Sequence, residues 1–144
     1  MLRTGLLLAV AALCAACAGL GAGVMHGDLN SEADLSFAQG ATEASGALLA
    51  FDPAQHRMDI TISIQPLAQD GDMDVVIVTD SGTRYQVLGS FHRCTEEAET
   101  RRCSRVLPPL PYERVGSWRV EAMRGDASFP ASVQVRVKWI PTGS

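Results

Sequence analysis

The sequence predicts an all-β fold, an antiparallel β-sandwich of the jelly-roll or immunoglobulin-like kind with about 7–8 strands. Three observations carry this reading. Residues 57–65 alternate strictly between apolar and polar side chains, the period of a strand with one buried and one wet face. Residues 75–78 are four consecutive β-branched apolar residues, too short a run for a helix. Turn formers recur roughly every ten residues, and no segment carries the apolar spacing of an amphipathic helix.

The elements follow in order. Residues 33–38 alternate and form the expected first strand, and residues 45–51, with Leu48, Leu49 and Phe51, form the second. Asp52-Pro53-Ala54-Gln55 turns the chain, because proline fixes φ and removes a backbone donor. In residues 57–65, Met58, Ile60, Ile62 and Ile64 share one face and Asp59, Thr61, Ser63 and Gln65 the other. Four such side chains, at about 1.5–3 kcal/mol each, make this face a major part of the core. The Val75–Val78 run suits a strand covered on both faces inside a sheet. Asp80-Ser81-Gly82-Thr83 is a tight turn into residues 84–89. Residues 94–112 change character, with charges first and then Leu107-Pro108-Pro109-Leu110-Pro111-Tyr112, so they are expected as loop and extended chain. Residues 116–122 alternate with Trp118, Val120 and Ala122 inward. In the last strand Val133, Val135, Val137 and Trp139 alternate with Gln134, Arg136 and Lys138.

The N-terminus has the layout of an export signal: Arg3 in a short positive start, then an uncharged apolar run over residues 5–16. That run is shorter than the roughly 20 residues a membrane-spanning helix needs, although no charge follows until Asp28 and an uncleaved anchor stays open. Leu13-Cys14-Ala15-Ala16-Cys17-Ala18 resembles the lipobox of bacterial lipoproteins, with Cys14 where that family usually has leucine. The resemblance implies cleavage before Cys17, lipidation of its thiol and a membrane partner through that anchor. Ala18, which is not aspartate, implies the outer membrane. The alternative is cleavage after Ala16-Cys17-Ala18, which releases a soluble secreted or periplasmic protein. The expected organisation is a signal over residues 1–16, a glycine-rich tether over 17–32 and a sandwich over 33–144.

The chain holds 12 basic and 16 acidic residues, a formal charge of -4. That balance argues against a general affinity for nucleic acid or anionic membranes. Residues 59–64 and 72–83, together with Gly116-Ser117-Trp118-Arg119-Val120, resemble the centre and closing strand of bacterial pre-peptidase C-terminal domains. The resemblance covers roughly residues 60–137 and implies a jelly-roll-like, non-catalytic domain, some of whose relatives bind carbohydrate, protein partners or calcium.

Candidate sites are few. Cys94 and Cys103 enclose eight residues, and in an exported chain they are expected as a disulfide. The clamped loop presents Arg101 and Arg102, with Arg105 and the ridge ending at Tyr112 beside it, as a surface for an envelope protein or glycan partner. Asp70, Asp72, Asp74 and Asp80 are hard oxygen ligands that could gather calcium, though no EF-hand spacing accompanies them. No other cofactor is expected. The histidines (His26, His56 and His92) fall in no catalytic or metal motif. A small hydrolase or inhibitor with a distributed site, drawing on Ser90 or Ser117, is the competing class.

Overall fold

The computed structural model describes residues 29–66, 73–89 and 94–143. Nine strands and no helix occur among the described residues: β1 (Leu29–Phe37), β2 (Glu43–Leu49), β3 (His56–Gln65), β4 (Asp74–Val78), β5 (Arg84–Leu88), β6 (Cys94–Glu97), β7 (Thr100–Leu107), β8 (Ser117–Met123) and β9 (Ala131–Pro141). They form two antiparallel sheets, ordered β1-β9-β3-β7-β6 and β2-β8-β4-β5, stacked as a sandwich.

β3 occupies the centre of the five-stranded sheet, paired along its length with β9 and β7. Its Met58, Ile60, Ile62 and Ile64 are almost completely buried, as the alternation predicts. Val133, Val135, Val137 and Trp139 from β9 lie beside them, and Val75, Ile77, Val120 and Trp118 come from the facing sheet. At one end Trp139 packs against Trp118 (ring centroids 5.8 Å) and Phe51 (5.9 Å). Its indole N–H donates to Ser31 Oγ at 2.8 Å, so the ring's polar edge is satisfied where the rest is buried.

Three sequence expectations change. β1 starts at Leu29, four residues inside the expected tether, because Leu29 to Glu32 continue the ladder opposite Trp139 to Arg136. Residues 94–107 are a hairpin, β6–β7, whose long arm adds to the central sheet against β3. Its charges read as loop: Glu96 and Glu97 lie on the edge strand, Arg102 on the wet face, and Arg101 and Arg105 interrupt the inner side of β7. Finally, β4 is an inner strand, between β8 and β5, but among the described residues no third layer covers its outer side. Val76 and Val78 are buried there, where Arg84 of β5 reaches across β4 to Glu121 of β8 at 2.8 Å and Arg119 pairs with the same carboxylate along β8 at 2.8 Å. Arginine stems cover apolar surface while their heads stay wet.

Two buried charges fix connections. Arg124 donates to Ala41 O (2.8 Å) and Ala38 O (3.0 Å), and its guanidinium lies 4.7 Å from the Phe37 ring centroid, holding the β1–β2 turn. Glu113 accepts from Ser81 Oγ and Tyr85 Oη, both at 3.0 Å, and ties residues 108–116 to the β4–β5 hairpin. Asp80 sits so close to Gly116 that a Cβ there would lie 2.7 Å from it, which explains glycine at that position.

Candidate functional site

The outer face of the five-stranded sheet is polar across nearly its whole width. Pairing sets Asp34, Gln134, Ser63, Arg102 and Thr95 in one row over five strands. The next row is Ser36, Ser132 and Gln65, continued by a 2.6 Å hydrogen bond from Gln65 Nε2 to Thr100 Oγ1. Short serines in the middle and longer side chains around them make the face concave. A groove of about 500 Å³ lies between Ser36, Gln65, Pro66, Glu99, Pro130 and Ser132. It adjoins a second, of about 240 Å³, floored by Ser63, Ser132 and Gln134, and the two share Ser36, Gln65 and Ser132.

The groove's chemistry is that of unspent hydrogen-bonding groups. The hydroxyls of Ser36, Ser63 and Ser132 have no protein partner among the described residues. Gln134 Nε2 donates to both Glu32 and Asp34, and Gln65 Nε2 to Thr100, so both amide oxygens stay available as acceptors. Hydroxyls that donate and accept, beside fixed carbonyl acceptors, match a polyhydroxylated ligand. Phe37, almost completely buried, touches the end of the larger groove, and no other aromatic side chain lines either groove among the described residues, so recognition here rests on hydrogen bonds rather than ring stacking.

The residues singled out from sequence are dispersed. Cys94 and Cys103 form the expected disulfide, across directly opposed positions of β6 and β7. Arg102 faces outward, beside Ser63 and 3.5 Å from Glu97. Arg101 and Arg105 point to the other side of β7, because side chains alternate along a strand. Tyr112, 94% exposed, lies past the opposite end of β7, about 25 Å from the hairpin turn at 3.3 Å per residue. The arginines and Tyr112 therefore do not make one surface. The hairpin instead supplies Glu99 and Thr100 to the groove wall.

Asp70 and Asp72, like Cys17, His26, Ser90 and His92, lie outside the described residues. Asp74 accepts from Gln86 Nε2 at 3.2 Å, and Asp80 stands at the other end of β4 against Gly116. No group of three metal-ligating side chains occurs among the described residues. His56 donates through Nδ1 to Asp52 O at 2.8 Å and sets its ring edge-on to Trp139.

Glu113 is the buried carboxyl among the described residues. Burial raises its pKa, but hydrogen bonds from Thr79, Ser81, Tyr85 and Thr83 outweigh it, and the net direction is down. Tyr85 is pushed up by burial and by Glu113 beside it. This carboxylate is committed to holding a loop. Glu121 is lowered by its hydrogen bonds from Arg119 and Arg84, so in the facing sheet's outer cleft Arg84 and Glu121 are spent on each other.

No family model and no curated protein matches the chain. Among solved structures it is similar to a non-crystalline cellulose specific carbohydrate-binding module, CBM28, at 10% identity and TM-score 0.49, covering 76% of this chain and 73% of that one. It is also similar to the xylan-binding module CBM15, at 6% identity and TM-score 0.48, covering 81% and 100%. A serine protease of Aeromonas sobria matches at 14% identity and TM-score 0.46, covering 78% of this chain and 27% of that one. At this level of likeness none of the three bears on what the present chain binds.

Proposed function

We propose that this protein is a non-catalytic, exported envelope module, anchored through a lipidated Cys17, whose β-sandwich holds a glycan in the groove between Asp34, Ser63, Gln65, Ser132 and Gln134. The observation that carries the reading is the concave polar face with three unpartnered serine hydroxyls and two free amide oxygens. The facing sheet's outer cleft is lined by charges already paired with one another, Arg84 with Glu121, whereas these hydroxyls have no partner among the described residues. The non-catalytic part rests on Glu113 and His56: the described residues that most resemble acid and base are both spent on loop geometry.

Affinity electrophoresis through gels containing soluble polysaccharides, with co-sedimentation on insoluble cell-wall glycans, tests this reading. Retardation by at least one glycan, and its loss when Ser63 and Gln134 are replaced by valine and leucine, is expected. Normal mobility on every glycan contradicts it. The mass of the mature N-terminus from cells tests the anchor: acylated Cys17 supports it, and a free residue 19 rejects it.

A further inference from the structure

The two ends of the sandwich differ in a way that the groove does not explain. β1 begins at Leu29 opposite Trp139, and we call this end proximal. Phe51 and Trp118 pack on Trp139, Leu49 is paired with Ser117, and Leu110 N–H donates to Pro53 O at 2.7 Å. These contacts place the end of β2, the turn after it and residues 108–116 at the same proximal end. Of six exposed large hydrophobic residues among those described, four belong there: Leu49 (64% exposed), Val106 (54%), Tyr112 (94%) and Val115 (61%).

The backbone of residues 108–111 is unusual in the same direction. Pro108, Pro109 and Pro111 have no N–H, and the one amide left, on Leu110, is bonded to Pro53 O. The stretch therefore exposes no unpaired N–H donor, which removes one of the costs of placing irregular backbone against lipid. Tyr112 follows it, an amphipathic ring of the kind enriched at the membrane–water boundary. Arg114, exposed two residues further on, is a cation of the kind whose stem lies along apolar surface while its head meets headgroup phosphates. Glu113, between them, keeps its charge inside the fold on Ser81 and Tyr85.

Chain length supplies the occupant. Only 11 residues separate Cys17 from Leu29. Fully extended, that connection spans at most about 40 Å, and a coil of this length has an r.m.s. span of about 20 Å. A lipid on Cys17 therefore keeps the proximal end, where β1 begins, within that distance of the bilayer.

We infer that the proximal end is a lipid-contact surface, with Tyr112 and residues 108–111 seated in the headgroup region and the groove at the distal end turned away from the membrane. The inference rests on the lipid-anchor reading of Cys17, and the experiment separates the two.

Full-length mature protein carrying Tyr112→Trp or Phe129→Trp is reconstituted in phosphatidylethanolamine/phosphatidylglycerol vesicles whose acyl chains are brominated. Phe129 is exposed at the distal end, and the fluorescence of Trp118 and Trp139 is subtracted with the unsubstituted chain. Emission from position 112 should fall roughly twofold and shift to the blue, while position 129 is unchanged. Equal emission at 112 with and without bromine overturns the surface, even if the N-terminal mass shows acylated Cys17. If that mass shows no acyl group, the anchor fails. Quenching at 112 on added vesicles then still supports the surface, and its absence overturns both.

Discussion

Along β3 one sequence pattern builds two surfaces with opposite tolerances. Met58, Ile60, Ile62 and Ile64 face Val75, Ile77 and Val120 in a core where each neighbour is fixed by packing. Ser63 and Gln65, a residue away, face a groove whose serine hydroxyls are unpartnered among the described residues. The difference teaches that alternation assigns a side to every residue but a role only to the inner set. Inner side chains are constrained by close packing, and outer ones by whatever they contact outside the chain.

The comparison breaks most visibly at its inner side. Ile62→Asp places an unpaired carboxylate at the centre of the central strand and should cost more than about 4 kcal/mol, enough to prevent folding. Soluble, protease-resistant Ile62→Asp protein with native circular dichroism would contradict the core assignment. At the margin of the same sheet, Cys94→Ser with Cys103→Ser opens a short loop and should cost about 2–3 kcal/mol by chemical denaturation. Because the hairpin also forms the groove wall, the double variant should bind any glycan ligand more weakly even where it remains folded.

A buried polar group gives the next effect. Glu113→Ala leaves Ser81 and Tyr85 without their acceptor and should cost about 1–3 kcal/mol. Because the native pKa of Glu113 lies below its ordinary value of 4.5, its contribution is fully present above that value. It is lost as pH falls through the lower native pKa. Urea denaturation across this range should therefore show wild type losing stability relative to Glu113→Gln as the solution is acidified; parallel curves would remove Glu113 from the acid response. The smallest effect lies on the outer face. Ser63→Ala and Ser132→Ala should each change stability by no more than about 0.5 kcal/mol, and a larger loss would turn the groove floor into part of the core.

What was legible in the sequence follows the same division. The strong alternation of residues 57–65 and 133–139 sufficed to predict a sandwich and its inner residues, because burial repeats with the period of the strand. The β6–β7 hairpin is not legible because Thr95, Glu96 and Glu97 lie on the edge strand, Arg102 faces outward, and Arg101 and Arg105 put charge on the inner side of β7, where Cys103 stands between them. The disulfide pointed to the right place, and its opposed positions fit a hairpin, but the spacing alone fits a loop equally well. The groove was hidden for another reason. Ser36, Ser63 and Ser132 come together only through the order β1-β9-β3, a non-local register that no single segment records. Conversely, Arg101, Arg102 and Arg105 are close in sequence but divided between two faces, so proximity along the chain overstated their unity.

The most direct test of the central claim compares two pairs of outer-face substitutions in the same glycan-containing gel. Ser63→Val with Gln134→Leu removes groove hydroxyl and carbonyl groups from the five-stranded sheet, and Ser45→Val with Arg119→Leu alters the facing sheet's outer side to a similar extent. The groove pair should migrate with wild-type stability but without retardation, and the facing-sheet pair should be retarded like wild type. Undiminished retardation of the groove pair would contradict the assignment of the ligand to the concave face.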